Sequence, residues 1–394
     1  MRSLTRRLLE SANGEGWGSL LILHGVFVLT GVGVTLLGSL LPVLAQRWAI
    51  PDAHSGAFFA AQFSGCSLGS LFAIGRFRRT LMIGLSLTGL AAILLPIAGA
   101  LSALGLFFAF GLGLGLTMTS IALLVGQRFE KHRGAALTLL NFSWGVGAVV
   151  GPLVVARVLS AHTLIWQGYP LVFRMMAIGC ALFLIAVFVG IPEPHDVPRG
   201  EKKSGRQSLG LVAFFAAMGF LYVGVETTMG GWISIYSSRM AGVNLARAAA
   251  MGSFFWMALL TGRALGSVAL LRIAERRLYP MALAMAFIGI GVTASAHTLT
   301  WVAVGACISG VALGPIFPMN LSLYLERAGA FSMAGLVLAL CGFGGSLLPW
   351  LTGVVSSRSG ALRSGFWVPA GASLLMLAML AGLRIWDGRV RNIR

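Results

Sequence analysis

Acid and charge are what this sequence has little of. Of 394 residues, 11 are Asp or Glu and 10% are charged at all, against roughly a quarter in soluble domains. So few charges exclude a soluble globular surface. Cysteine is nearly as scarce: Cys66, Cys180, Cys307 and Cys341 all fall within apolar runs without CxxC spacing, which argues against a disulfide framework or a metal knuckle. With six scattered histidines, no ligand cluster for a metal is apparent and no cofactor is expected. Long polar stretches are also rare; the one that stands out is PEPHDVPRGEKKSGRQS, residues 192–208.

What is present is hydrocarbon. Hydrophobic residues make up 57% of the chain and form runs long enough to cross about 30 Å of lipid. The pattern predicts an all-α integral membrane protein with twelve transmembrane helices over 18–45, 53–74, 81–101, 103–126, 134–160, 171–191, 209–238, 246–271, 279–297, 299–325, 330–356 and 364–383. The first run lacks a small-residue cleavage site and reads as a helix, not a removed leader.

The formal charge of +18 follows this layout. Clusters at Arg76, Arg78 and Arg79, at Arg128, Lys131 and Arg133, at Arg199, Lys202, Lys203 and Arg206, and at Arg272, Arg276 and Arg277 lie on one side, with both termini. Far fewer, among them Arg47, Arg157, Arg239 and Arg358, lie on the other. The positive-inside rule makes the arginine-rich side cytoplasmic. The expected location is therefore the inner (plasma) membrane, multi-pass, with lipid as the surrounding partner and no nucleic acid.

The two halves repeat. SGCSLGSLFAIGRFRR (64–79) matches TGRALGSVALLRIAERR (261–277), setting Gly65 on Gly262 and Gly69 on Gly266. GVGVTLLGSLLPVLAQR (31–47) lies over VGVETTMGGWISIYSSR (223–239), pairing Thr35 with Thr227, Gly38 with Gly230 and Arg47 with Arg239. A third match pairs Gly115 with Gly314. Residues 1–191 and 209–394 thus read as two pseudo-symmetric six-helix bundles joined by the 192–208 linker, an architecture with its solute site near the midplane between the halves. The glycine series Gly111, Gly113, Gly115 sits in a helical run with no strand before it, so it reads as close helix packing, not a phosphate loop.

On these features the chain resembles the major facilitator superfamily. GSLFAIGRFRRTLMIG (69–84) is similar to the superfamily's gating signature between helices 2 and 3, with Ala73 where that signature has an acid. GVGVTLLGSLLP, RGAALTLLNFSWGVGAVVGP and YVGVETTMGGW resemble the fucose permease group of sugar:proton symporters, although that group's acids in helices 1 and 4 have no counterpart here. The resemblance implies a secondary active transporter, working as a monomer by alternating access on a small solute such as a sugar, with a proton as coupling ion.

The residues themselves point to a site. Glu226 is the one acid deep within a span, and Arg263 the one intramembrane base. Ionisable side chains at such depth mark function by default, and a carboxyl there can take up and release a proton as its access alternates. At 1.5 Å per residue their axial offset is roughly 12 Å, so they pair only if both extend, and a purely structural contact stays open. For solute binding, hydrogen-bonding groups and flat rings at helical spacing are the candidates: Asn141 with Trp144, Tyr222 with Glu226, Trp256 with Arg263, Asn320 with Tyr324, and Trp232, Gln62 and His24. A ring of Asn, Gln and Trp suits a sugar, whereas Met and Phe suit a lipophile, so a proton-driven drug or metabolite exporter of the same fold is the alternative. An enzyme would need clustered nucleophiles or bases, which the sequence does not supply.

Overall fold

A computed structural model describes residues 17–73, 76–129, 133–161, 165–191, 209–241, 243–328 and 334–393. The expected linker at 192–208 lies outside them. Among the described residues the chain forms twelve long helices and no strand. In order they are α1 (Trp17–Trp48), α2 (Asp52–Phe72), α3 (Phe77–Leu94), α4 (Ala100–Arg128), α5 (Arg133–Ala161), α6 (Ile165–Gly190), α7 (Leu209–Ala241), α8 (Leu245–Ala269), α9 (Glu275–Ser295), α10 (Leu299–Leu313, resuming as Ile316–Ala328), α11 (Ala334–Ser359) and α12 (Trp367–Ile393, after a single turn at Leu362–Gly365).

Eleven of these are long and apolar enough to span a membrane; α2, which carries Asp52, His54, Gln62 and several serines, is the exception. The reason lies in its position: α2 packs between α4 and α11, so it meets protein where outer helices meet lipid. Outer faces are strongly apolar, with Leu101 85%, Leu271 84% and Ile97 79% exposed. Hydroxyls buried between the helices turn back on their own helices: Thr35 donates to the Val32 carbonyl (3.0 Å), Thr228 to Gly224 (2.7 Å) and Thr293 to Gly289 (3.1 Å).

Breaks fall where sequence chemistry demands them. α3 ends in a 3-10 turn through Pro96, earlier than the predicted limit at 101, because proline cannot continue the ladder. α10 is interrupted between Leu313 and Ile316, at Gly314–Pro315. Asn244 caps α8 by accepting the Arg247 amide at 2.8 Å. After α11 the chain turns through Gly360 at φ +69°, a left-handed value suited to glycine.

The internal repeat is visible in packing. α1 pairs with α5 as α7 pairs with α11, α2 with α4 as α8 with α10, and α3 with α6 as α9 with α12. Gly65 and Gly69 press on the α4 backbone at Phe108 and Leu112, and Gly262 and Gly266 take the same place against Val311 and Pro315 of α10. On α4, Gly111 and Gly115 face Gln62 and Cys66, while Gly113 faces Gly84 and Thr88 of α3; one helix thus lies close to two neighbours. The halves meet along α1–α7, α1–α8, α2–α11 and α5–α8.

Candidate functional site

Helix α7 brings Tyr222, Glu226 and Gly230 to one face at four-residue spacing. α8 lies alongside, and Arg263 Nη2 donates to Glu226 Oε1 at 3.1 Å. The axial offset expected from sequence therefore does not keep the two side chains apart. The Glu226 side chain is 11% and that of Arg263 23% exposed. Tyr222 is buried one turn before Glu226, with its ring 5.5 Å from Phe317 and its hydroxyl without a hydrogen-bond partner.

The pair sits at the seam between bundles. Trp144 of α5 has its ring centroid 5.9 Å from the Arg263 guanidinium carbon. Trp256, two turns from Arg263 on α8, meets Trp144 edge-on at 5.5 Å. Both indole N–H groups are buried without an acceptor.

Next to Trp256 is a narrow cavity lined by Val34, Thr35, Gly38, Phe59, Phe63, Thr227, Gly230, Gly231 and Trp256. Its walls come from both bundles. The repeat-matched pairs Thr35/Thr227 and Gly38/Gly230 all face this one space. Gly38 lies on the Gly231 backbone, where a Cβ would come within 2.8 Å of its Cα, and a Cβ on Gly230 would collide with the Trp256 indole. Small residues therefore let α1 and α7 approach and leave the gap that a side chain would fill.

Of the residues singled out from sequence, Glu226, Arg263, Tyr222, Trp144 and Trp256 come together. Gln62 and Trp232 stand behind the cavity wall: the Gln62 amide donates to the Val34 carbonyl at 3.3 Å, and Trp232 donates to the Pro349 carbonyl at 3.1 Å while its ring lies 6.0 Å from Phe59. The others are placed elsewhere. His24 bonds Ser143 at 2.7 Å, joining α1 to α5. Asn320 is buried within the second bundle, donating to the Phe215 carbonyl (3.1 Å) and accepting from the Tyr279 hydroxyl (3.3 Å); its amide is already occupied. Tyr324 packs on Phe215 at 5.8 Å. Asn141 is exposed and donates to the Leu137 carbonyl of its own helix at 2.9 Å.

Asp52, in the first turn of α2, was not among the residues singled out from sequence. At the end opposite the arginine clusters, Arg239 of α7 donates to Asp52 of α2 through both terminal nitrogens, at 2.8 and 2.7 Å. Ser356 of α11 donates to the same carboxylate, and the Ala53 amide donates to Ser357 Oγ at 2.8 Å. A fork-to-carboxylate pair thus ties the bundles together at that end. The available signal was the repeat: Arg239 corresponds to Arg47, yet Arg47 bonds the Pro96 carbonyl (2.8 Å) within its own bundle, so the twin arginines differ in what they hold.

Comparison with known proteins agrees with this architecture. The chain is 25% identical over 350 residues to a protein named TsgA homolog from Erwinia tasmaniensis, covering 85% of this chain and 86% of that one. It is 24% identical over 346 residues to a glucose/galactose transporter of Brucella abortus, covering 82% of each. In fold it matches a peptide transporter POT (TM-score 0.76, 14% identity, 98% of each chain) and the E. coli fucose:proton symporter (TM-score 0.62, 18% identity, 92% of this chain and 97% of that one). The Major Facilitator Superfamily model matches residues 23–340, and with the twelve-helix repeat this shows that the chain belongs to that superfamily of membrane transporters.

Proposed function

We propose that this transporter carries a small polar solute of sugar-like chemistry through the seam between its bundles, coupled to a proton at Glu226. The observation that carries the reading is the Glu226–Arg263 pair. These are an acid and a base inside the membrane span, joined across α7 and α8 beside two indoles, where burying charge is costly unless function retains it. The Brucella relative's name, glucose/galactose transporter, supports the solute class, and so do ring faces with spare hydrogen-bonding groups.

In this reading the arginine-rich end faces the cytoplasm and the chain works as a monomer of two bundles, residues 1–191 and 209–394. The Asp52–Arg239 pair with Ser356 is the outer latch, closed while the site is reached from inside and broken when the halves rock outward. Glu226 takes a proton on one side and yields it on the other. The test is Glu226→Gln in proteoliposomes loaded with D-glucose, D-galactose or L-fucose. Concentrative uptake driven by a pH gradient should vanish while solute exchange persists; unchanged accumulation refutes proton coupling at Glu226.

A further inference from the structure

The polar atoms around the pair are unequal in kind. Trp144 Nε1 and Trp256 Nε1 are buried with nothing to donate to, and an indole nitrogen can only donate. Arg263 has five N–H groups, of which one, on Nη2, is taken by Glu226. Against these donors, the buried groups able to accept that lack a partner near the seam include, among the described residues, Gln62 Oε1, on a side chain held to Val34, and the Tyr222 hydroxyl, which also has a hydrogen to donate. Neutral sugar hydroxyls can accept from these donors, but each brings a hydrogen that needs an acceptor of its own. A carboxylate only accepts, through two oxygens that fit the arginine fork.

Charge leads to the same place. With Glu226 ionised, the pair is neutral. When Glu226 takes a proton on a carboxylate oxygen, no other bond changes and Arg263 is left as an uncompensated cation within the protein, a costly state. A neutral solute leaves that cost standing, whereas an anionic solute removes it.

We propose, building on the proton-coupled reading above, that the solute carries one carboxylate, as a hexuronate or aldonate does, and that this carboxylate takes Arg263 over from Glu226 as Glu226 is protonated. Proton and anion then load together and the occupied site is neutral. One turnover moves one proton and one negative charge, so transport is electroneutral. The Trp144 and Trp256 N–H groups take the remaining lone pairs of the acid or its ring oxygens.

The experiment uses the full chain in proteoliposomes with a panel of D-glucuronate, D-galacturonate and D-gluconate beside D-glucose, D-galactose and L-fucose. Binding is followed by tryptophan fluorescence and uptake by radiolabel. The acids are expected to bind at least tenfold more tightly than the neutral sugars and to accumulate with an inward pH gradient. Their accumulation should not change when a potassium diffusion potential is imposed. Glu226→Gln should bind the acids at least as tightly as the parent, without its pH dependence. Arg263→Gln, and the charge-neutral double variant Glu226→Gln/Arg263→Gln in case the single change fails to fold, should lose the acids at least 30-fold. Proton-driven accumulation of a neutral sugar that rises about 50-fold with a potential equivalent to 100 mV on one charge overturns the carboxylate while leaving proton coupling intact. No binding or movement of any panel member overturns both readings.

Discussion

Replacing Asp52 by asparagine probes the latch with little change in volume. The carboxylate accepts from both terminal nitrogens of Arg239 and from Ser356. Asparagine keeps one acceptor but turns an N–H toward another donor. Charge-assisted hydrogen bonds contribute about 1.5–3 kcal/mol when shielded, and exposed ion pairs about 0.2–1. Here the Asp52 side chain is 7% and that of Arg239 44% exposed, so the loss falls between, about 1–2 kcal/mol. At about 1.4 kcal/mol per tenfold, the equilibrium shifts about 5- to 30-fold toward opening at that end.

Spin labels at His54 on α2 and Arg247 on α8, both exposed at this end and in opposite bundles, would read the shift in a chain whose four cysteines are replaced. The distance distribution of Asp52→Asn should gain a longer component absent from the parent. Arg239→Gln should do the same, and the double change should add little more, since both remove one interaction. High salt should reproduce part of the effect through the exposed arginine. Identical distributions in parent and variants, or fully additive single changes, would refute the latch.

Other consequences follow from particular contacts. Gly230→Ala puts a methyl into the Trp256 indole and should abolish solute binding, measured by fluorescence titration, while the purified protein keeps its melting temperature within a few degrees; retained binding would dissociate the cavity from the site. Gly38→Ala separates α1 from α7 at Gly231 and should slow uptake by favouring the state in which those helices part, read with the same spin-label pair. Asn320→Ala leaves the buried Phe215 carbonyl and Tyr279 hydroxyl without their partner and should cost about 1–3 kcal/mol of stability with solute affinity unchanged; a large loss of affinity would return Asn320 to the site.

Much of the fold was legible in the chain because lipid leaves little choice: an apolar run of some twenty residues must be a helix that satisfies its own backbone. Hydropathy placed the twelve helices, and the glycines matched in sequence, Gly65/Gly262 and Gly69/Gly266, take equivalent places where α2 meets α4 and α8 meets α10. The rarity of intramembrane charge singled out Glu226 and Arg263. Thr35/Thr227 and Gly38/Gly230 were visible as a repeat, though nothing in sequence said that both pairs would line one cavity.

What only tertiary structure decided was partnership. Axial bookkeeping left Glu226 and Arg263 a dozen ångströms apart, and packing of α7 on α8 brought them to 3.1 Å. Asn141 and Asn320 carry the same side chain at similar depth, yet one is exposed and the other enclosed by Phe215 and Tyr279. Asp52 looked like an ordinary helix start until Arg239 arrived from a helix 187 positions along the chain. Periodicity and hydropathy are local properties and specify each helix alone, whereas a hydrogen bond or ion pair depends on the rotation and height of two helices at once, which are set by the sum of contacts across the bundle.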